Sequence, residues 1–162
     1  MNGSTPAIRA LIAAGIEHRL HRFEHLVPGD APDVGFARAA ALAMGVSEDR
    51  VFKTLVVRAD DRYAVALLPA SQTLSMRKVA RALDARSADM AGAGDAQRMT
   101  GYVVGGISPF GQKRRLVTIA HETIDEFPTV FVSAGRRGWD VEIAPAHLVA
   151  ALTAVVADIV TP

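Results

Sequence analysis

Val51-Phe52-Lys53-Thr54-Leu55-Val56-Val57 is the stretch from which the fold can be read. It is rich in residues that favour a pleated backbone. Alternation puts Val51, Lys53, Leu55 and Val57 on one face and Phe52, Thr54 and Val56 on the other. Both faces are apolar, the pattern of a strand covered on both sides. Ala59-Asp60-Asp61 follows as a turn, and Tyr63 to Leu68 is a second apolar run, so the spacing predicts a hairpin. Lys53 breaks the pattern. Its stem either snorkels from the strand end to water or places the ammonium in a cavity that offers acceptors. Only three of the eighteen basic residues are lysines. A compact ammonium at this point suits a developing negative charge or a ribose-phosphate oxygen.

Upstream of the hairpin, Thr5 and Pro6 read as a cap and first helical residue. Ile8, Leu11 and Ile12 share one face of that helix, and Gly15 ends it. His18 to His25 alternates loosely and predicts a strand. Val27 to Asp33 reads as a loop, Val34 to Met44 as an alanine-rich helix stopped by Gly45, and Ser47-Glu48-Asp49 as a short turn. Downstream, Ser75 caps a helix with Met76, Val79, Ala80 and Leu83 on one side. Ser87 to Met90 predicts a short strand, and Asp95 starts a helical turn. Three further strands are predicted over Leu116–Ile119, Thr129–Ser133 and Val141–Ile143. Pro145 opens an amphipathic helix with Leu148, Val149 and Leu152, and Val155 to Ile159 predicts a last strand. Helices and strands mix without a βαβ repeat. The expectation is therefore a single α+β domain over residues 1–162, built on a mixed, curved, barrel-like sheet flanked by helices.

The chain has no cysteine, which excludes disulfides and thiolate metal sites. No apolar run is long enough to span a bilayer and the first residues lack a leader pattern, so the expected location is the cytoplasm, away from membranes. His21 and His25 share a face of the predicted strand, but two histidines without a third ligand make a poor metal site, and no metal or cofactor is expected. Net charge is only +1, yet unevenly spread. Arg62, Arg77, Lys78 and Arg81 lie between Asp61 and Asp84 without an acid, as do Arg98, Lys113, Arg114 and Arg115 between Asp95 and Glu122. Such clusters either hold an anionic polymer weakly or are plain solvated faces.

Two further stretches carry chemistry. Thr100 to Arg115 passes from Tyr102-Val103-Val104 into Gly105-Gly106-Ile107-Ser108-Pro109-Phe110-Gly111 and closes on Lys113-Arg114-Arg115. Paired glycines allow backbone N–H groups to approach a carbonyl oxygen or phosphate; equally, the segment reads as a strand, a turn and a charge run. Ser133-Ala134-Gly135-Arg136-Arg137-Gly138-Trp139-Asp140 follows an apolar strand with a hydroxyl, two arginines and a carboxylate. There Ser133 could orient a substrate and Asp140 could hold an amine, or Asp140 could simply pair with an arginine. Serine-hydrolase, zincin and P-loop signatures are absent.

Together these three stretches resemble the YbaK family of free-standing Cys-tRNA(Pro) deacylases, relatives of the editing domain inserted in bacterial prolyl-tRNA synthetases. The resemblance covers nearly the whole chain and implies cleavage of the ester between a mischarged amino acid and the 3′ end of tRNA(Pro). Lys53 then matches the family's essential lysine, and Gly105 and Pro109 the ends of its G-x-x-x-P loop; Lys53 and Gly105 are the catalytic candidates. Phe23, Thr54, Gly106, Ile107, Ser108, Pro109, Ser133 and Asp140 are the substrate-binding candidates, and Arg98, Lys113, Arg114 and Arg136 the tRNA contacts. Phe23 stands where a family member has tyrosine, and Ala134 where the family often has glycine, a change expected to narrow the pocket wall. The implied partners are mischarged tRNA(Pro) and a prolyl-tRNA synthetase. The substrate's own thiol would attack the ester. The alternatives are an alanine-specific deacylase using water and a non-catalytic RNA- or nucleotide-binding module.

Overall fold

The computed structural model describes residues 4–26 and 35–162; the loop expected over Val27–Asp33 lies outside the described residues, as does the Val34 at which the next helix was expected to start. The hairpin stands at the centre. β2 (Phe52–Ala59) and β3 (Arg62–Pro69) pair antiparallel with Lys53 opposite Leu68, and Asp60 takes a positive φ of 54° in the turn. β4 (Ala88–Met90) adds to the free edge of β2, while β5 (Val117–His121) and then β8 (Val155–Ala157) add parallel to β3. A second, antiparallel sheet runs β1-β7-β6, from β1 (Arg19–Arg22), β6 (Val130–Arg136) and β7 (Trp139–Ile143).

The strands therefore form two open sheets, not the single curved, barrel-like sheet the sequence suggested. Their only shared pairing among the described residues is one parallel bridge, Val51 with Phe131, where the Phe131 N–H donates to the Arg50 carbonyl at 2.9 Å. The pairing does not propagate past that bridge, so no ring closes. The α+β class and the flanking helices stand: α1 (Pro6–Ala13), α2 (Phe36–Met44), α3 (Met76–Ala82), α4 (Ala93–Thr100) and α5 (Pro145–Leu152).

The two-faced reading of β2 is met in the packing. Phe52 and Val56 join a core with Leu67, Trp139 and Leu148, while Val57 and Ala59 pack with Val79 and Ala80 of α3 on the other side. Three local expectations shift. The strand expected over His18–His25 stops at Arg22, because the Phe23 N–H turns to the Gly138 carbonyl (2.7 Å) and Glu24–Leu26 winds into a 3-10 turn, so His21 and His25 share no strand face. α4 is a full helix where only a turn was expected; Gly92 and Gly94 weaken its local signal, and burial of Ala96 and Met99 compensates. Tyr102-Val103-Val104 is irregular, pinned by the Tyr102 hydroxyl donating to the Phe110 carbonyl at 2.6 Å. Among the described residues no helix is long and apolar enough to cross a membrane.

Thr5 ties α1 to the site-bearing hairpin. Its buried hydroxyl accepts from the Ile8 N–H (3.2 Å), capping the helix, and donates to the Ala134 carbonyl on β6. Thr5→Ala removes the cap and leaves that carbonyl unpaired, and should lower unfolding free energy in urea by about 1–3 kcal/mol. Thr5→Ser should recover most of it. Equal stability of the alanine variant and the wild type would contradict this role.

Candidate functional site

Past the Val51–Phe131 bridge the two sheets leave a cavity of about 560 Å3. That volume falls within the range of small-molecule sites, and the lining is mostly apolar. β2 supplies Lys53 and Thr54 from one wall. Ser133 and Asp140 come from the other, directly opposite each other in the β6–β7 register. Phe23 closes the floor near β1, α2 contributes Phe36 and Arg38, and the loop after α4 contributes Val104, Gly105 and Ile107.

The cavity thus gathers Lys53, Gly105, Phe23, Thr54, Ile107, Ser133 and Asp140 from the residues singled out in the sequence. Gly106, Ser108 and Pro109 are buried behind its wall. The Gly106 N–H is already committed to the Val103 carbonyl at 3.0 Å. Ser108 shapes the loop from within, its Oγ accepting from the Phe110 N–H (3.2 Å) and its carbonyl from Gln112 Nε2 (2.9 Å). Ala134 is fully buried in the core and does not line the cavity, so it does not narrow the pocket wall as expected.

Burial sets the electrostatics. Desolvation is the largest influence on the Lys53 ammonium and holds its pKa below 10.5; the positive charge of Arg38 pushes the same way, and Glu48 opposes. Asp140 is 6 % exposed and its carboxyl makes no hydrogen bond with a described residue, so burial alone pushes its pKa up to about 7. Neither group's ionisation is set by the other, so they are not an ion pair. The Thr54 hydroxyl oxygen is also buried without a partner among the described residues. Ser133 Oγ accepts from the Gly135 N–H at 3.1 Å, and no histidine lines the cavity to activate it as a nucleophile.

The proposed tRNA contacts lie outside this cavity, and all are exposed. Arg98 pairs with Asp95 at 2.7 Å, and Arg136 stacks over Trp139 at 4.7 Å. Lys113 and Arg114 are fixed to the end of α4 by backbone bonds to the Thr100 and Met99 carbonyls. Sequence reasoning missed Phe36, Arg38 and Arg137 as wall residues. Arg137 was in view but stood beside Arg136, and nothing in the spacing says which of two adjacent arginines turns inward. Phe36 and Arg38 are the bulky and charged exceptions in an alanine-rich helix, a signal that could have been used.

Residues 31–151 match the family described as "Aminoacyl-tRNA editing domain". A relative in Enterococcus faecalis, named "Putative Cys-tRNA(Pro)/Cys-tRNA(Cys) deacylase EbsC", is 33% identical over 126 residues, 77% of each chain. A proline–tRNA ligase of Streptococcus suis is 28% identical over 116 residues, 72% of this chain but 19% of that enzyme. The crystal structure of a hypothetical protein superposes with a TM-score of 0.83 at 27% identity, covering 97% of this chain and 100% of the other.

The Asp140 carboxyl makes stability depend on pH. Its pKa rises from an ordinary 3.8 to about 7 on folding, so between those values the folded state holds the proton more tightly. Stability contributed by that proton is whole below about pH 4, declines as pH rises to about 7, and is gone above it. Asp140→Asn mimics the neutral acid. At pH 8 it should be more stable than wild type by about 1–4 kcal/mol, the gap vanishing toward pH 4, in thermal melts across that range. A gap that does not change with pH would contradict the assignment.

Proposed function

Because the chain belongs to the aminoacyl-tRNA editing domain family, we propose that it cleaves the ester joining a mischarged amino acid to tRNA, with Cys-tRNA(Pro) as the substrate. The observation that carries this reading is the meeting of the Lys53 ammonium and the Gly105 loop in one mostly apolar cavity. An aminoacyl-adenosine end needs such a site: an apolar recess for the side chain, a cation for ribose or phosphate oxygens, and an amide for the carbonyl.

With no thiol in the protein and no histidine beside Ser133, the attacking group comes from the substrate or from water. In the cysteine ester the substrate thiolate is already close. Its sulfur bonds to the carbonyl carbon, the C–O bond to the ribose breaks, and the ribose oxygen takes up the proton the thiol released. Water then opens the resulting cyclic thioester. The protein's part is to hold the reacting atoms together and to stabilise charge on the carbonyl oxygen. Lys53 anchors the ribose end, the Gly105 N–H faces the carbonyl, and Asp140 receives the substrate's α-ammonium, which brings the carboxyl to its charged form. Editing of this kind is needed because pocket fit separates near-isosteric amino acids by only about 1–3 kcal/mol. Binding of tRNA rests on Arg98, Lys113, Arg114 and Arg136, contacts blind to sequence, so the tRNA is selected with a prolyl-tRNA synthetase as partner.

Deacylation of charged tRNA(Pro) by the purified protein tests the reading. Cys-tRNA(Pro) should be cleaved, Ser-tRNA(Pro) and Ala-tRNA(Pro) far more slowly, and Lys53→Ala should lose about a hundredfold or more of the activity with its melting temperature kept. Equal rates on the cysteine and serine esters would replace the substrate thiol by water. Wild-type turnover in Lys53→Ala would remove the lysine from the mechanism.

A further inference from the structure

An amide that stabilises a carbonyl oxygen must point one way, and glycine by itself does not enforce that. The Val104–Gly105 peptide precedes a residue at φ +91°, where glycine passes readily between backbone regions, so this peptide could flip at little cost. We propose that Arg137 is the positioning residue that locks it, holding the Gly105 N–H toward the cavity; this deepens the deacylase reading above and rests on it.

Arg137 stands at the tip of the β6–β7 hairpin, outside both strands. Its Nε and Nη2 both donate to the Val104 carbonyl, at 2.9 and 2.7 Å. Its guanidinium stacks on the Phe36 ring of α2, 4.7 Å from the centroid. One side chain thus fastens three separate elements at the cavity wall. The Val104 C=O and the Gly105 N–H belong to the same planar trans peptide and point in opposite directions. Clamping the oxygen therefore fixes the N–H in the opposite direction, away from the guanidinium. The planar fork suits this task because two charged donors converge on one oxygen, and they also polarise the peptide, making its N–H a stronger donor.

The surroundings agree. The Gly105 N–H has no partner among the described residues, whereas the Gly106 N–H is spent on the Val103 carbonyl. Of the paired glycines, only the first offers a free amide to a ligand. The clamp also closes directly on the Gly105 Cα. A Cβ there would meet the Phe36 ring at 2.8 Å and Arg137 Nε at 2.9 Å, so the clamp and the glycine require each other. Arg136, by contrast, is turned onto Trp139 and makes no contact of this kind.

Two readouts on Arg137→Ala and Arg137→Lys test the role. The Gly105 amide resonance in 15N spectra should shift or broaden in both, since lysine supplies no planar fork. In deacylation assays kcat should fall about tenfold or more while KM for the charged tRNA changes less than about threefold, and added guanidinium should restore part of kcat to Arg137→Ala. An unmoved Gly105 resonance overturns the proposal. So does a raised KM with a flatter salt dependence and intact kcat, the signature of a phosphate contact. If the wild-type protein deacylates nothing, the functional reading fails by itself, and the Gly105 resonance alone decides for or against the clamp.

Discussion

The site depends on one short contact between the two sheets. At the Val51–Phe131 bridge both side chains are 2% exposed, and the chain is fixed on either side of it. The Ala70 N–H donates to the Val51 carbonyl at 2.7 Å, and the Arg50 side chain reaches the Thr129 carbonyl at 3.2 and 3.1 Å and its hydroxyl at 2.6 Å. Thr129 in turn donates to Glu142, which also meets His21 at 2.9 Å, so all three strands of the smaller sheet are tied to the start of β2. Beyond this knot the sheets part. β2 contributes Lys53 and Thr54 to the cavity lining and the β6–β7 pair contributes Ser133 and Asp140, and their separation is inherited from a junction that is itself buried.

The same enclosure explains the charges. A cation and a carboxyl lie in one apolar recess without neutralising each other, and in both the dominant influence is loss of water, which favours the uncharged form. Such a site is unsatisfied until a ligand brings complementary charge and hydrogen-bonding groups. The Thr54 hydroxyl, buried without a partner among the described residues, adds to that demand. The aminoacyl ester proposed as substrate would meet each need with a different atom: an ammonium for Asp140, ribose oxygens for Lys53 and a carbonyl for the loop amide.

Much of this was legible in the residues. The doubly apolar β2 with its misplaced lysine, the Thr5-Pro6 helix start and the glycine loop all reported local preferences that the packing kept. Closure of the sheet was not legible, because strand composition does not say whether β6 keeps pairing with β2 or leaves after one bridge. The strand over His18–His25 failed for a related reason: the turn at Phe23 is dictated by a distant carbonyl at Gly138, which no local pattern contains. Within the loop, spacing could point to paired glycines but not say which amide is free. That is decided by a backbone bond from Gly106 to Val103 and by the guanidinium of Arg137 on Val104.

The most direct test of the account is a crystal structure with a non-cleavable 3′-cysteinyl-adenosine in which an amide replaces the ester. The account predicts the analogue between the two sheets, with Lys53 Nζ on a ribose oxygen, the Gly105 N–H on the aminoacyl carbonyl and Asp140 beside the α-ammonium. An analogue bound elsewhere, or bound here with its carbonyl turned away from Gly105 and Lys53 left in solvent, would contradict it.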